Sequence, residues 1–278
     1  MANHLPKEKK VQIINMLVEG NSLRSTSRVA DVSINTVTKL LVDVGTACEA
    51  YHNENVRGLN TKVVQCDEIW SFVYAKQKNV PVEMKDSAKV GDVWTWTAID
   101  ADSKFMISWN VGSRDAETAK EFMCDVADRL NNRVQLTTDG LAKYLKAVDS
   151  AFGNDIDFAQ LIKVYGKSQD EIRYSPAECT GTEKKIITGE PDTKKISTSY
   201  VERQNLTMRM GMRRFTRLTN AFSKKIENHC HAIALHFMYY NFVRIHKTLR
   251  VTPAMEIGFT KKLWTIEDLV RLAETKSN

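Results

Sequence analysis

The residues best suited to chemistry lie in one stretch, Ser199-Tyr200-Val201-Glu202-Arg203-Gln204-Asn205-Leu206-Thr207-Met208-Arg209. Glu202 and Arg209 are seven residues apart, two turns of a helix, so a helix here carries both on one face. A carboxylate can hold a divalent cation and a guanidinium can grip a phosphate, the pairing expected where a metal ion meets a nucleic-acid backbone. Glu and Arg at this spacing also occur on plain solvated helices. What sets this pair apart is two upstream aspartates in contexts that can complete a metal site.

Asp67 follows the apolar run Val63-Val64-Gln65-Cys66 and precedes Glu68-Ile69-Trp70. A carboxylate within a strand's buried run is costly unless it is paired or binds metal. Asp139 ends the short strand-like segment Val134–Thr138 and is followed by Gly140. Ligands gather at the C-terminal ends of strands in α/β sheets. Asp67, Asp139 and Glu202 are therefore the candidate metal ligands, able to hold two Mg²⁺ or Mn²⁺ ions through hard oxygen donors. Glu68 is the alternative at the first position. Strand alternation turns it to the face opposite Asp67, which favours Asp67.

Charge placement agrees with a polyanionic partner. The chain of 278 residues carries a net +6, yet residues 199–250 alone hold ten Lys/Arg against Glu202 and Glu227. That segment exceeds the excess of the whole chain, a local basic band of the kind that binds nucleic acid. Its candidate DNA contacts are Arg203, Asn205, Arg213, Arg214, Arg217, Lys224 and Lys225. A solvated helix with scattered cations is the plain alternative.

The five cysteines include no Cys-x-x-Cys pair, which argues against a zinc ribbon or a disulfide framework. His229 and His231 diverge on a helix, and with His236 they read as packing residues. No apolar run reaches membrane-span length and the N-terminus lacks a signal-peptide pattern, so the expectation is a soluble, cytosolic chain.

The elements that must position these residues are legible from periodicity. In the first 50 residues, Val11, Ile14, Leu17 and Val18 mark one helix closed by Gly20. Ser22 caps a second helix through Ala30, Asp31-Val32-Ser33 forms a turn with Asp31 left-handed, and Ser33 caps a third with the stripe Val37, Leu40, Leu41 and Val44. This is a helix-turn-helix pattern, with Asn35, Thr36, Thr38 and Lys39 on the outer face of the third helix as candidate DNA contacts. A packing bundle of three helices has the same signature.

Residues 51–61 read as a linker. Strands are expected over 61–74, 92–98 and 105–111, the last two a hairpin around Asp100-Ala101-Asp102-Ser103. A helix over 116–130, a strand over 133–138, a helix over 141–152 and a strand over 158–164 follow. Residues 174–198 read as a long loop with room for a hairpin. Residues 199–243 are mostly helical with a break near Gly211, and a short helix covers 265–274. The order defines an α/β domain with a ribonuclease-H-like mixed sheet flanked by helices, preceded by a small all-α domain. The expected division is 1–50 helix-turn-helix, 51–61 linker, 62–262 catalytic domain and 263–278 C-terminal helix and tail.

Three motifs then coincide: Cys66-Asp67-Glu68-Ile69-Trp70-Ser71-Phe72, Thr138-Asp139-Gly140, and Tyr200-Val201-Glu202-Arg203-Gln204-Asn205 through Arg209. They continue through Arg213-Arg214-Phe215, Arg217, Ser223-Lys224-Lys225 and Tyr240-Asn241 to Thr252-Pro253-Ala254. Over about residues 62–262, and in its N-terminal helices, the chain resembles DDE transposases of bacterial insertion sequences, closest to the insertion-sequence-one family. The resemblance implies metal-dependent 3′-end cleavage and strand transfer, with Asp67, Asp139 and Glu202 as ligands and Arg209 as the basic residue seven positions after the glutamate. It also implies terminal inverted repeats and target DNA as partners, a homo-oligomer, and a nucleoid-associated place in a bacterial cytoplasm. Some members carry an N-terminal zinc-binding segment for which this chain has no ligand set. A DNA-binding regulator with a ribonuclease-H-like domain and a metal-dependent nuclease are the competing readings. The intact carboxylates count against the regulator.

Overall fold

The chain's fold is built on one long strand, β1 (Val63–Val73), whose residues are covered on both faces. A computed structural model of the protein describes residues 5–85, 87, 89–166, 179–216 and 219–275. β1 pairs antiparallel with β2 (Gly91–Asp100), which pairs antiparallel with β3 (Met106–Gly112). On its other side β1 runs parallel to β4 (Gln135–Asp139), with Gln65 opposite Thr137. β4 pairs parallel with β5 (Asp157–Tyr165), and β5 antiparallel with β6 (Cys179–Thr188). The six-stranded order is β3-β2-β1-β4-β5-β6. A mixed sheet of this order flanked by helices fits the ribonuclease-H-like arrangement expected from the sequence.

The expected loop over 174–198 is corrected in part. β6 occupies Cys179–Thr188 as an edge strand, while residues 167–178 lie outside the described residues. Its exposed Lys and Glu side chains suit an edge and hide it from hydrophobic periodicity.

Two parallel crossovers build the site end of the sheet. α4 (Ala116–Arg129) follows β3 and leads to β4, and α5 (Lys143–Phe152) joins β4 to β5. Asp115 caps α4 through the Thr118 amide. Both helices cover the face that carries Val64, Cys66 and Trp96, through Phe122, Met123, Val126 and Tyr144. The opposite face is covered by α6 (Ser199–Gly211) and α7 (Ile226–Met238), where Val201, Met208, Ile233 and Phe237 close on Ile69 and Ile99. The helical segment expected over 199–243 is thus two helices: after Gly211 come a single 3₁₀ turn at Arg213–Phe215 and, before α7, a non-helical stretch over 219–225. α7 ends in a π-helical turn, Tyr239–Val243, followed by the short α8 (Pro253–Glu256).

The N-terminal helices are α1 (Lys7–Val18), α2 (Leu23–Ala30) and α3 (Ile34–Asn55). The capping chemistry is as expected. Ser22 Oγ accepts from the Ser25 amide, Asp31 is left-handed (φ 51°, ψ 52°), and Ser33 Oγ accepts from the Asn35 amide. α3 runs on through Asn55, so the first residues of the expected connector are helix. Arg129 explains its stable end. This buried guanidinium donates to the carbonyls of His52 and Val56 and pairs with Asp125, tying the last turn of α3 to α4. Gly45 lets α3 approach α7 closely, since a Cβ there would lie 2.6 Å from the His231 Cβ and carbonyl oxygen. The N-terminal helices share one apolar cluster with Phe242 and with Leu269 and Val270 of α9 (Ile266–Thr275).

Candidate functional site

β1 and β4 deliver two carboxylates to one place. Parallel pairing puts Asp139, the last residue of β4, beside the level of Asp67 on β1. Among the described residues, Asp67, Glu68 and Asp139 each offer an oxygen within 4.8 Å of the others. The strand alternation expected for β1 holds: Asp67 faces α6 and Glu68 faces α5. The two carboxylates nonetheless meet near the end of β4, where the pairing of β1 with β4 stops.

Each carboxylate is held differently. Asp67 Oδ2 accepts from Asn205 Nδ2 at 2.7 Å. Asp139 Oδ1 accepts the Leu141 amide at 3.0 Å, and its Oδ2 lies 3.9 Å from Arg114. Glu68 has both oxygens engaged, by Arg114 at 2.5 Å and by the Tyr144 hydroxyl at 3.1 Å, and its side chain is 1% exposed against 36% for Asp139. Asp67 and Asp139 are therefore the open oxygens, and Glu68 is an anchored internal charge.

Electrostatics tell the same story. Burial, then the charges of Glu68, Asp139 and Glu202, push the Asp67 carboxyl up to about 7. Burial also raises Asp139 and Glu68, although Arg114 opposes the rise in both. Crowded, half-desolvated carboxylates repel one another, and a divalent cation relieves that repulsion. The all-oxygen donor set fits Mg²⁺ or Mn²⁺ rather than a softer ion.

Glu202 stands in the first turn of α6, near enough for its charge to raise Asp67 and Asp139, but outside the 4.8 Å group. Its Oε2 accepts from Lys163 Nζ of β5 at 2.5 Å and its Oε1 from the Thr198 hydroxyl at 2.5 Å. Gln65 sets where α6 begins, because its Oε1 accepts the amides of Tyr200 and Val201. Arg209 is half-buried in the last turn of the same helix.

The expected DNA contacts divide by burial. Asn35, Lys39, Arg203, Arg213, Lys224 and Lys225 are exposed, and Thr36 and Thr38 are half-buried. Lys39 pairs with Asp43 at 2.5 Å, and the Thr38 hydroxyl donates to the Ile34 carbonyl within α3. Asn205 is 8% exposed and faces Asp67, so its structural place is within the carboxylate cluster. Arg214 is half-buried and donates to Ser223, beside the chain of contacts from Ser223 through His229 to Ser71. Arg217 lies outside the described residues. His229 and His236 are buried, in keeping with packing roles, and burial lowers both imidazoles to about 3.

Sequence reasoning missed Arg114, Tyr144 and Lys163, whose partners are distant in the chain. The place of Asn205 had a signal. Val201, Gln204, Asn205 and Met208 follow the i, i+3, i+4, i+7 pattern of an inward stripe, and all four are buried.

Compared with known proteins, the chain matches no protein-family profile and no curated protein. Among solved structures, one similar chain is from a pre-cleavage Mos1 transpososome, at 10% identity and a TM-score of 0.22 over 57% of this chain and 60% of that one. Another is from a piggyBac transposase synaptic complex with hairpin DNA, at 10% identity and a TM-score of 0.39 over 97% of this chain and 70% of that one.

Proposed function

We propose that this chain is a DDE-type DNA transposase of the insertion-sequence-one kind, which cleaves 3′ ends of its element and joins them to target DNA. The observation that carries the reading is the meeting of Asp67, inside β1, with Asp139, at the end of the neighbouring parallel β4, as a crowded oxygen cluster open on one side. The basic band that begins at the same helix supports a DNA substrate.

Asp67 and Asp139 would hold the divalent ions, two by our reading, and Glu202 would join them on exchanging Lys163. When bound, such ions lower the pKa of an attacking water or 3′-hydroxyl and stabilise the departing oxygen in an in-line phosphoryl transfer. The chain's own groups do the rest. Asn205 fixes the orientation of the Asp67 carboxylate by holding Oδ2. The buried Glu68 pairs with the half-exposed Arg114 and keeps the guanidinium beside Asp139. Arg209, two turns along α6 from Glu202, grips a phosphate next to the scissile bond, and Arg203, Arg213, Lys224 and Lys225 carry the duplex backbone. Asn35, Thr36 and Lys39 on α3 read the element's ends in the major groove. Acting on two ends calls for more than one copy of the chain.

The test uses labelled duplexes bearing the terminal repeats that flank the chain's own gene, a supercoiled plasmid target and Mg²⁺. The reading expects end cleavage and a labelled joined product. Cleavage without any joined product assigns the site to a nuclease, and neither product refutes DNA phosphoryl transfer.

A further inference from the structure

β1 and β2 extend past the end of β4, and that extension carries aromatic side chains on the Glu68 face. Glu68, Trp70 and Phe72 alternate on one side of β1, and Trp94 is the cross-strand partner of Trp70. Nearer Asp139 this face is covered by Trp96, Tyr144 and Phe122. Beyond it Trp70, Phe72 and Trp94 are left half-exposed. Phe222, brought alongside by the bridge between Val73 and Ser223, continues the row. Ring centroids are 5.7 Å apart for Trp70 and Phe72 and 4.8 Å for Phe72 and Phe222.

Cations interleave with the rings. Arg114 lies over Trp94 at 4.7 Å, Lys76 over Trp70 at 5.9 Å and Lys224 over Phe222 at 4.1 Å. Beside Trp70 is a hollow of about 540 Å³ which, among the described residues, is lined by Lys76, Lys78 and Lys85 against one carboxylate, from Asp92. Next along β1 comes Tyr74, an exposed aromatic held left-handed at φ 67°, a strained conformation for a bulky residue. Arg114 links the row to the carboxylates, since it also pairs with Glu68 and approaches Asp139.

We propose that this row is a binding track for an unpaired DNA strand running from the carboxylate cluster. The inference rests on the DNA reading of that cluster and adds the strand state of the substrate. The rings are too close to admit a base between them, so bases stack on the outer ring faces once the lysines over Trp70 and Phe222 swing out to take the phosphates. Aromatic surface with interleaved cations is what sequence-tolerant single-strand binding needs. Duplex DNA hides its base faces and gains nothing from the rings. The excess of lysine over carboxylate in the hollow selects a polyanion over an apolar protein face. The track therefore holds strands separated at the element's end, next to the cleavage point.

The test measures binding of the full-length protein to a labelled oligo-dT of about 12 nucleotides, to an abasic strand with the same number of phosphates, and to a duplex. Stacking predicts tryptophan quenching with oligo-dT and an abasic affinity weaker by roughly 5- to 150-fold for each base stacked. Trp70→Leu should collapse the difference between oligo-dT and abasic strand, and Phe222→Leu should reduce it. Equal wild-type affinity for the two strands overturns the track in favour of charge alone, and a Trp70→Leu protein that still discriminates overturns its location. Mg²⁺-dependent duplex cleavage without oligo-dT binding sinks the track and leaves the transposase reading standing. Binding to neither strand nor duplex sinks both.

Discussion

Asn205 of α6 donates to Asp67 of β1 across 138 positions of sequence, and this bond registers the helix on the strand. Gln65 makes the companion contact to the amides of Tyr200 and Val201. Gln65 and Asp67 are about 6.6 Å apart along one face of the strand. The four to five helical residues between their partners rise about 6–7.5 Å, so the two spacings match. Docking α6 by this match brings Glu202 close to the other carboxylates.

Loss of the amide should therefore disturb the site without removing a ligand. Asn205→Ala is expected to lower metal affinity or turnover by about 10- to 100-fold, the usual cost of losing a group that orients a ligand. Asn205→Asp also loses the amide donor but adds a carboxylate that favours a cation, so its Mn²⁺ affinity should fall less than that of Asn205→Ala. Titrating Mn²⁺ into each variant checks the order. Wild-type affinity in Asn205→Ala would show that the bond only docks the helix.

In the proposed site, Lys163 and a metal ion would compete for Glu202. Removing the ammonium in Lys163→Met should tighten Mn²⁺ binding, and most of that gain should vanish in the Glu202→Gln background. The double-mutant cycle is expected to give a coupling of about 0.5–3 kcal/mol. Zero coupling would mean that Lys163 acts only as a nearby charge and that Glu202 stays outside the ion site.

The raised Asp67 carboxyl makes the metal effect depend on pH. Its folded-state value, about 7, lies above the usual carboxylate range. The metal-free fold thus gains stability from this proton at low pH and loses it as pH rises through about 7. In the proposed site a divalent ion would replace the proton. The Mg²⁺-induced rise in Tm should be small near about pH 5.5 and larger near about pH 8, and Asp67→Asn should flatten the dependence. A rise of equal size at both pH values would separate Asp67 from the ion.

Gly45 tests the packing of the N-terminal helices on the rest of the chain. A Cβ there meets backbone and Cβ atoms of His231 that cannot swing away. Overpacking costs about 1–3 kcal/mol, against about 1 kcal/mol gained by replacing a mid-helix glycine. Gly45→Ala should lower stability by up to about 2 kcal/mol in urea unfolding. Unchanged or higher stability would mean that α3 and α7 separate easily.

Local signals were legible in the sequence, and long-range ones were not. Ser22, Asp31 and Ser33 marked the turns of the first helices because capping is settled within a few residues. Asp67 and Asp139 stood out as carboxylates at the wrong end of apolar runs. β6 escaped because an edge strand rich in Lys and Glu has no hydrophobic alternation. The partners of the carboxylates, Arg114, Tyr144 and Lys163, come from separate elements that only the sheet order brings together. Asn205 was read as facing DNA from its place in the basic band, yet the inward stripe of α6 claims it.

The most direct test is single-turnover cleavage of an end-bearing duplex, at saturating DNA, by the wild-type chain and by Asp67→Asn, Asp139→Asn and Glu68→Gln. The wild type should cleave in a Mg²⁺-dependent way, and both Asp variants should lose cleavage while retaining DNA binding. Glu68→Gln should keep measurable activity, because that carboxylate is anchored by Arg114 and Tyr144. Full cleavage by Asp67→Asn or Asp139→Asn would contradict the claim that these two residues form the catalytic centre.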